Sequence, residues 1–573
     1  MQPFSKQFTL RGILIGVLGS ALITASSLYT ALKIGALPWP IFFVTLLALF
    51  TLRGFARFGK STNINEANVS ATAMSAGAMV AGGIAFTIPG IYILMPNAEL
   101  PLTSLLLAAL AGVIFGCVGT GLFRRSFIVD AKLPYPIGTG AAETLKASWA
   151  GGKNALVLFI SAGIAAAITF VRDYLLLLPQ MLLSWVRIPG VNFGIYCSPM
   201  ALAMGFLIGP LAALVWVFGA VIGDFGVVVA GVAMGLWDAA SAAGIKTSLG
   251  IGVMIGCGVG VVLKLLWGLI TGKTLKKKKG AHGEKEVLNG EGVETEAAAA
   301  AAETAVAASK NAAAETAATR SLVRPVWVVI AAAAAAGFLA FFGVISPVPA
   351  ILLVVLVWVA MLMAAQSTGQ AGLNPMEVFG IIVLLVIALF VQLGSIEAFM
   401  VAAVATVACG FVGDMMNDFK AGHILNTNPR AQWLAELIGG VVGAVVAVFV
   451  MVLLVQAYGA DSFGPDKTFV AAQASAVAAM VGGIPNLPAF IIGLSIGAVL
   501  YVLRAPVITL GLGIYLPFFL SFTVAIGAAI RFILGKVKPG WIKGEKGTVA
   551  ASGLLAGESI AMVVIAIIVV FSG

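Results

Sequence analysis

Of 573 residues, 61% are hydrophobic and only 10% are charged, against roughly 25% charged residues in an ordinary soluble domain. That balance excludes a water-soluble enzyme. Lys and Arg number 33 against 23 Asp and Glu, a net charge of +10, which in a soluble chain would suggest nucleic acid; in one this apolar it reads as basic loops on one membrane face.

A membrane-crossing helix needs about 20 mainly apolar residues. A transmembrane β-barrel would show short alternating segments instead, whereas the runs here are continuous and rich in Ala, Gly, Leu and Val. In chain order the first half predicts helices over 12–33, 36–52, 66–93, 101–121, 154–178, 198–216, 217–236 and 248–270. The second half predicts 324–343, 348–365, 376–393, 395–413, 431–457, 469–503 with a break at Pro485–Pro488, 507–533 and 550–571. The expectation is an all-α polytopic membrane protein of about sixteen transmembrane helices, some broken or re-entrant.

The first apolar run follows basic Lys6 and Arg11 and continues through Tyr29 and Lys33, so it reads as an uncleaved helix. Basic residues also follow the second helix (Arg53, Arg57, Lys60), the fourth (Arg124, Arg125, Lys132) and the eighth (Lys273, Lys276–Lys279). These share one face if the N-terminus is cytoplasmic; Lys536, Lys538, Lys543 and Lys546 break the alternation and leave the side of 534–548 open. Pro134–Gly140, ahead of Glu143, is too short to span and reads as a re-entrant or broken half-helix, with Pro485–Pro488 as its counterpart.

Residues 272–323 form a Lys-rich, then Ala/Glu-rich tract without an apolar face, a cytoplasmic linker. It divides the chain into a first transmembrane repeat, 1–271, and a second, 324–573. Weak internal echoes in matching order, such as Gly194–Pro199 with Gly513–Pro517, favour two repeated halves of about eight helices.

Several motifs point away from catalysis. Gly54–Ser61 fits the phosphate-loop spacing, yet it follows a membrane helix and has no α/β domain around it. Four unpaired cysteines and two histidines, His282 and His423, give no disulfide framework and no metal site. An intramembrane enzyme would have to be built on His423 and neighbouring acids.

Ionisable groups inside apolar runs are costly and usually face a cavity or a partner. Glu66 and Glu436 stand at the heads of two such runs, Asp414 precedes a polar stretch containing Asp418 and His423, and Glu558, Asp224 and Arg504 lie inside or beside others. Tyr29, Lys33, Asn65, Gln370 and Asn374 mark polar breaks that invite a solute.

Tyr29–Gly35, Asn65–Asn68, Asp130–Pro136, Asn426–Arg430, Gly513–Pro517 and Ala551–Glu558, taken together and in order, resemble the oligopeptide transporter family, which includes the yellow-stripe-like metal-chelate carriers. The resemblance implies a proton-coupled secondary transporter importing small peptides or peptide-like conjugates by alternating access, with the proton as coupling ion and no other cofactor. It carries over Tyr29, Lys33, Tyr515 and Glu66 as candidate cavity residues; with the polar groups read from the sequence, the substrate-binding candidates are Tyr29, Lys33, Asn65, Gln370, Asn374, Tyr196 and Tyr515, and the proton-coupling candidates Glu66, Glu436, Asp414 and Glu558. The expected setting is the bacterial cell inner membrane, multi-pass. Glycine-rich faces are compatible with a homodimer, metal-siderophore or metal-chelate transport is the rival reading, and a channel is a further one.

Overall fold

The computed structural model describes residues 3–34, 37, 41–56, 62–150, 152–270, 325–372, 374–464, 467–481, 484–503, 505–543 and 546–572. The linker expected at 272–323, residues 57–61 of the phosphate-loop-like stretch and Arg504 lie outside these residues, as does the side chain of Lys33. Among the described residues, ten helices are long and apolar enough to cross a membrane, and five further apolar helices are shorter. The chain is an all-α polytopic membrane protein whose sheet structure, among the described residues, amounts to Met181–Leu182 paired with Ile195–Tyr196.

Several boundaries differ from the apolar runs for local reasons. The helix Pro199–Ile208 stops at Gly209, whose φ of +85° favours glycine, and Pro210 starts the next. The interruption expected near 216–217 is instead a continuous passage from Pro210–Ala220 into a π-helical stretch, Val221–Ala230. The run 507–533 is two helices, Val507–Tyr515 and Phe518–Val537, parted at Leu516–Pro517. The helix after the π segment starts at Ala239 rather than near 248, and Ser395–Leu425 carries its polar tail within one unbroken helix. Pro136–Ala150 is a 15-residue helix, about 22 Å long at 1.5 Å per residue, short of the roughly 30 Å of a bilayer core.

Two spans form the centre. In their most apolar windows Ile64–Leu94 and Ser395–Leu425 are each 89% buried, against 28% for Leu156–Asp173. Around them, helices on either side of the linker interlock: Ala239–Ile270 packs on Leu487–Val502, Gly152–Asp173 on Lys546–Ser572, Pro199–Ile208 on Phe518–Val537, and Ile64–Ala85 on Pro429–Tyr458.

Small residues spaced four apart make these contacts, because in lipid van der Waals packing has to replace the hydrophobic drive. Gly252 and Gly256 face the backbone of Phe490 and Leu494, and Gly493 and Gly497 return the contact against Leu249 and Val253. Gly439 and Gly443 bring Pro429–Tyr458 onto Ala73 and Gly77. A side chain at Gly443 has no room, so Gly443→Leu is expected to cost at least about 1–3 kcal/mol and lower the melting temperature of the solubilised protein. Gly163→Leu, at a position open for 4 Å, is the matched control; equal melting temperatures would mean that this contact does not set the helix spacing.

Candidate functional site

Ser395–Leu425 and Pro429–Tyr458 form a helical hairpin closed by three residues. Asn426 takes φ +58°, a left-handed conformation asparagine tolerates, and the Asn428 side chain accepts from Arg430 N to cap the second helix. Thr427 fastens this turn to the head of Ile64–Ala85: its hydroxyl accepts from Asn68 Nδ2 (3.1 Å) and donates to Asn65 Oδ1 (3.0 Å). The Gln7 side chain accepts from Asn428 N at 2.7 Å.

The hairpin turn and the start of Ile64–Ala85 therefore share one level, and equal distances along the helices meet at depth. At about 1.5 Å per residue, Asp414 lies about 18 Å from Asn426, Glu436 about 12 Å from Asn428 and Ser75 about 16 Å from Ile64. Asp414 and Asp418, one turn apart, face Glu436. One carboxylate oxygen from each lies within 4.8 Å of the other two, and the three residues are 2%, 3% and 0% exposed.

Ser75 Oγ donates to Asp418 Oδ2 at 3.0 Å, and Gln432 Nε2 donates to the Asp418 carbonyl at 2.7 Å. Neither oxygen of Glu436 nor Oδ2 of Asp414 receives a hydrogen bond among the described residues. No ion pair described reaches the cluster. The N-terminus of Pro136–Ala150 meets the same helix, Gly138 N donating to Asn417 Oδ1 at 3.2 Å, and its dipole brings partial positive charge. Three buried carboxylates this close cannot all be negative without a counter-charge, which protons or a cation must supply. Three carboxylate oxygens are also a start on a hard-cation site.

A belt of polar groups continues from the cluster. Asn374 Nδ2 donates to the Cys409 carbonyl at 2.8 Å and lies against Gly413, next to Asp414. Three residues on, Glu377 opens the helix Met376–Ala388, and Tyr515 is within electrostatic reach of it. Tyr515 rests on Gly250, and the neighbouring Leu516 carbonyl accepts from Lys246 Nζ at 3.2 Å. Thr509 Oγ1 donates to Gln370 Oε1 at 3.5 Å, four residues before Asn374 and just ahead of the helix end at Ala371.

Of the sequence candidates, Asp414, Glu436, Asn374, Gln370 and Tyr515 thus fall on one connected belt. The others sit elsewhere. Asn65 is part of the Thr427 fastening, and Tyr29 packs edge-on to Phe469 with ring centroids 5.7 Å apart. Glu66 accepts from Arg11 Nε (2.7 Å), Arg11 Nη2 (2.8 Å), Thr9 Oγ1 (2.6 Å) and Thr62 Oγ1 (2.9 Å) in the first turn of its helix. Glu558 accepts from Arg172 Nη1 (3.0 Å), Ser198 Oγ (2.9 Å) and Met200 N (2.7 Å), joining Gly152–Asp173, Pro199–Ile208 and Lys546–Ser572. Tyr196 lies beneath Arg172, 5.3 Å from its guanidinium carbon. Burial pushes its hydroxyl up to about 12, the Arg172 charge pulling the other way. His423 stands among Arg124, Lys420 and Lys132.

Sequence reasoning passed over Asp418 as a site residue and missed Lys246 and Arg172. The four-residue spacing of Asp414 and Asp418 was a usable signal once the helix was known to run on. A groove of about 500 Å³ between Pro325–Phe341 and Pro347–Ala371 is lined by Ala, Val, Ile, Gly, Pro and Trp, away from the belt. The three carboxylates are buried, whereas Gln370, Asn374 and Tyr515 are half-buried.

A family model described as OPT oligopeptide transporter protein matches residues 7–569. A Haemophilus influenzae protein that carries the name of an oligopeptide transporter is 27% identical over 616 residues, covering 95% of this chain and 93% of its own. Metal-nicotianamine transporters named YSL2 match shorter stretches: that of Oryza sativa at 30% over 144 residues, 23% of this chain and 20% of its own, and that of Arabidopsis thaliana at 39% over 59 residues, 9% of each.

The two best-placed glutamates should respond oppositely to neutralisation. Glu66→Gln leaves Arg11 without its charge partner and is expected to cost about 1–3 kcal/mol, less than a fully buried pair because Arg11 is 25% exposed. Glu436→Gln removes one of three crowded charges and is expected to leave the melting temperature unchanged or raised. A larger loss in Glu436→Gln than in Glu66→Gln would show that the cluster is held by a bound cation.

Proposed function

The chain belongs to the OPT oligopeptide transporter family, and from that premise we propose that it is a secondary active importer of small peptides or peptide-like conjugates, driven by protons that bind Asp414, Asp418 and Glu436. It is a transporter and not an enzyme. The observation that carries the coupling reading is the cluster of three carboxylates, at most 3% exposed, with no cationic side chain paired to it among the described residues.

Protons suit the cluster better than a metal ion. Ca²⁺ takes 6–8 oxygen ligands and Mg²⁺ six, and transporters commonly draw some of these from unwound helices. Here all three acids lie in unbroken helices whose carbonyls are already engaged. A proton needs no cavity, and Asp418 and Glu436 are close enough to share one. Protonation shifts the conformational population only if open and closed states bind the proton with different affinity; a closed, dry site that must be neutral meets that condition.

In this reading Gln370, Asn374 and Tyr515 line the solute path. Glu66 and Glu558, with full sets of partners, hold helices in place, and Asn65 fixes the hairpin to the central span. The helices are about sixteen, in two repeated halves either side of the linker, and the setting is a bacterial inner membrane, supported by the bacterial relative. Metal-chelate transport is the second reading, favoured by the stretches similar to metal-nicotianamine transporters.

The test is uptake of a labelled dipeptide mixture into proteoliposomes with and without an inward proton gradient. Wild type is expected to accumulate peptide only with the gradient. Glu436→Gln is expected to lose accumulation at least tenfold while still exchanging peptide across the membrane, the behaviour of an uncoupled carrier. Gradient-driven accumulation intact in Glu436→Gln and Asp418→Asn would remove the cluster from coupling. Uptake of an iron or copper chelate in place of any peptide would decide for the second reading.

A further inference from the structure

The far end of the belt carries an ion pair that the proton-coupling argument leaves unused. Lys246 Nζ donates to Asp224 Oδ1 at 2.7 Å and to the Leu516 carbonyl at 3.2 Å. Both side chains lie inside apolar spans and are 12% and 5% exposed. Charges at such depth are expensive unless they serve a path or a partner.

Three irregularities of backbone meet at this pair. Asp224 sits in the π-helical stretch Val221–Ala230, and π segments within α-helices frequently occur at functional sites. Gly223 in the same stretch lies against the Ile514 carbonyl, so the π segment packs on the break between Val507–Tyr515 and Phe518–Val537. The break frees the Leu516 carbonyl, and the helix that follows starts at Pro517 without a side-chain cap. A broken helix that presents one freed carbonyl and one uncapped N-terminus is a common way to hold polar solutes at membrane depth.

The pair is also incompletely satisfied. Asp224 Oδ2 has no hydrogen-bond partner and the residue is 3% exposed. An ammonium has three N–H donors, and two of those on Lys246 are accounted for. Aromatic residues follow both partners of Lys246 along the chain, Phe225 after Asp224 and Phe518 two residues after Leu516: Phe225 is edge-on to Phe518 at 4.9 Å, and Phe193 stacks on Phe518 at 5.6 Å.

We infer that Lys246 is the docking point for the carboxylate of the transported solute, with Asp224 holding its place in the closed state and taking an N–H of the solute through Oδ2 when the solute is bound. The carboxylate replaces the Leu516 carbonyl and shares Lys246 with Asp224, while the Phe193, Phe225 and Phe518 rings receive an apolar side chain. The solute class is a small carboxylate with a nearby N–H donor and room for an aromatic or aliphatic group. Lys246 reaches the proton cluster through Tyr515, Glu377 and Asn374, so solute and proton occupy opposite ends of one belt.

The inference rests on the transport reading, and the experiment separates the two. Proteoliposomes clamped at zero membrane potential, with an inward proton gradient, are given labelled Ala-Phe or its C-terminal amide. Wild type is expected to take up the free acid with a KM at least tenfold below that of the amide, and unlabelled Ala-Phe to compete at least tenfold better than the amide. Lys246→Met is expected to bring the two KM values together by raising that of the acid, and Lys246→Arg to keep the preference. Equal uptake of acid and amide by wild type, or an acid preference surviving in a folded Lys246→Met, overturns the inference while leaving peptide transport standing. No uptake of either form by wild type overturns the peptide reading and the inference with it. The wild-type competition needs no variant, so a misfolded Lys246→Met does not spare the proposal.

Discussion

Bringing three carboxylates within 4.8 Å of one another inside a membrane protein is the constraint on which the rest of this architecture turns. Like charges separate helices unless packing elsewhere holds them, and here the packing is backbone against backbone. Gly439 and Gly443 seat the Glu436 helix on Ala73 and Gly77, while Ser75, between those two contacts, reaches Asp418. The hairpin turn at Asn426–Asn428 and its fastening to Asn65 and Asn68 fix the register. A slip of one helical turn, about 5.4 Å, would carry Glu436 out of reach of both aspartates.

The buried acids divide by how completely they are partnered. Glu66 and Glu558 each accept three or more hydrogen bonds, at least one of them from an arginine that binds them as a charge, and each ties separate helices together. Removing a partner from such a group leaves a buried charge alone, at a cost of several kcal/mol, which suits fixed joints. Asp414 and Glu436 have oxygens with no donor. A group that gains and loses a proton cannot have its donors supplied permanently by the protein, so incomplete satisfaction is the property expected of a coupling site rather than a packing fault.

Much of the fold was legible in the sequence because a lipid environment makes span length and hydropathy nearly sufficient. The legible part of the site was the clustering of acids and amides after residue 413 and around Gln370–Glu377. The rest was hidden for identifiable reasons. Lys246 precedes the apolar run read as beginning at 248, and only the upstream extension of that helix to Ala239 places it at depth. Asp418 lies beyond the expected end of a span that in fact continues to Leu425. The distinction between Glu66 and Glu436, alike as heads of apolar runs, depends on Thr9 and Arg11 arriving from elsewhere in the chain. The interlocking across the linker leaves no local trace: a glycine pair four residues apart does not say which backbone it will meet.

The two ends of the belt differ in what closes them, and that difference bears on the order of events in transport. On the proposed reading the Lys246 end supplies its own counter-charge, Asp224, and the solute shares Lys246 with it and gains by completing bonds that Asp224 leaves open. At the Asp414–Asp418–Glu436 end the described residues supply no cationic counter-charge, so in the proposed mechanism the closed state persists only once protons have arrived. A ligand biases an equilibrium by its differential affinity for the two states and by nothing else. In the proposed mechanism the proton therefore favours closure strongly, whereas the solute, sharing Lys246 with Asp224 in place of the Leu516 carbonyl, changes the balance little by itself. Closure around solute without protons leaves the carboxylates unneutralised, and closure with protons alone leaves Asp224 and Lys246 satisfying each other. Tight coupling in the proposed mechanism then requires the second of these to be slow, and Tyr515, Glu377 and Asn374 lie between the two ends.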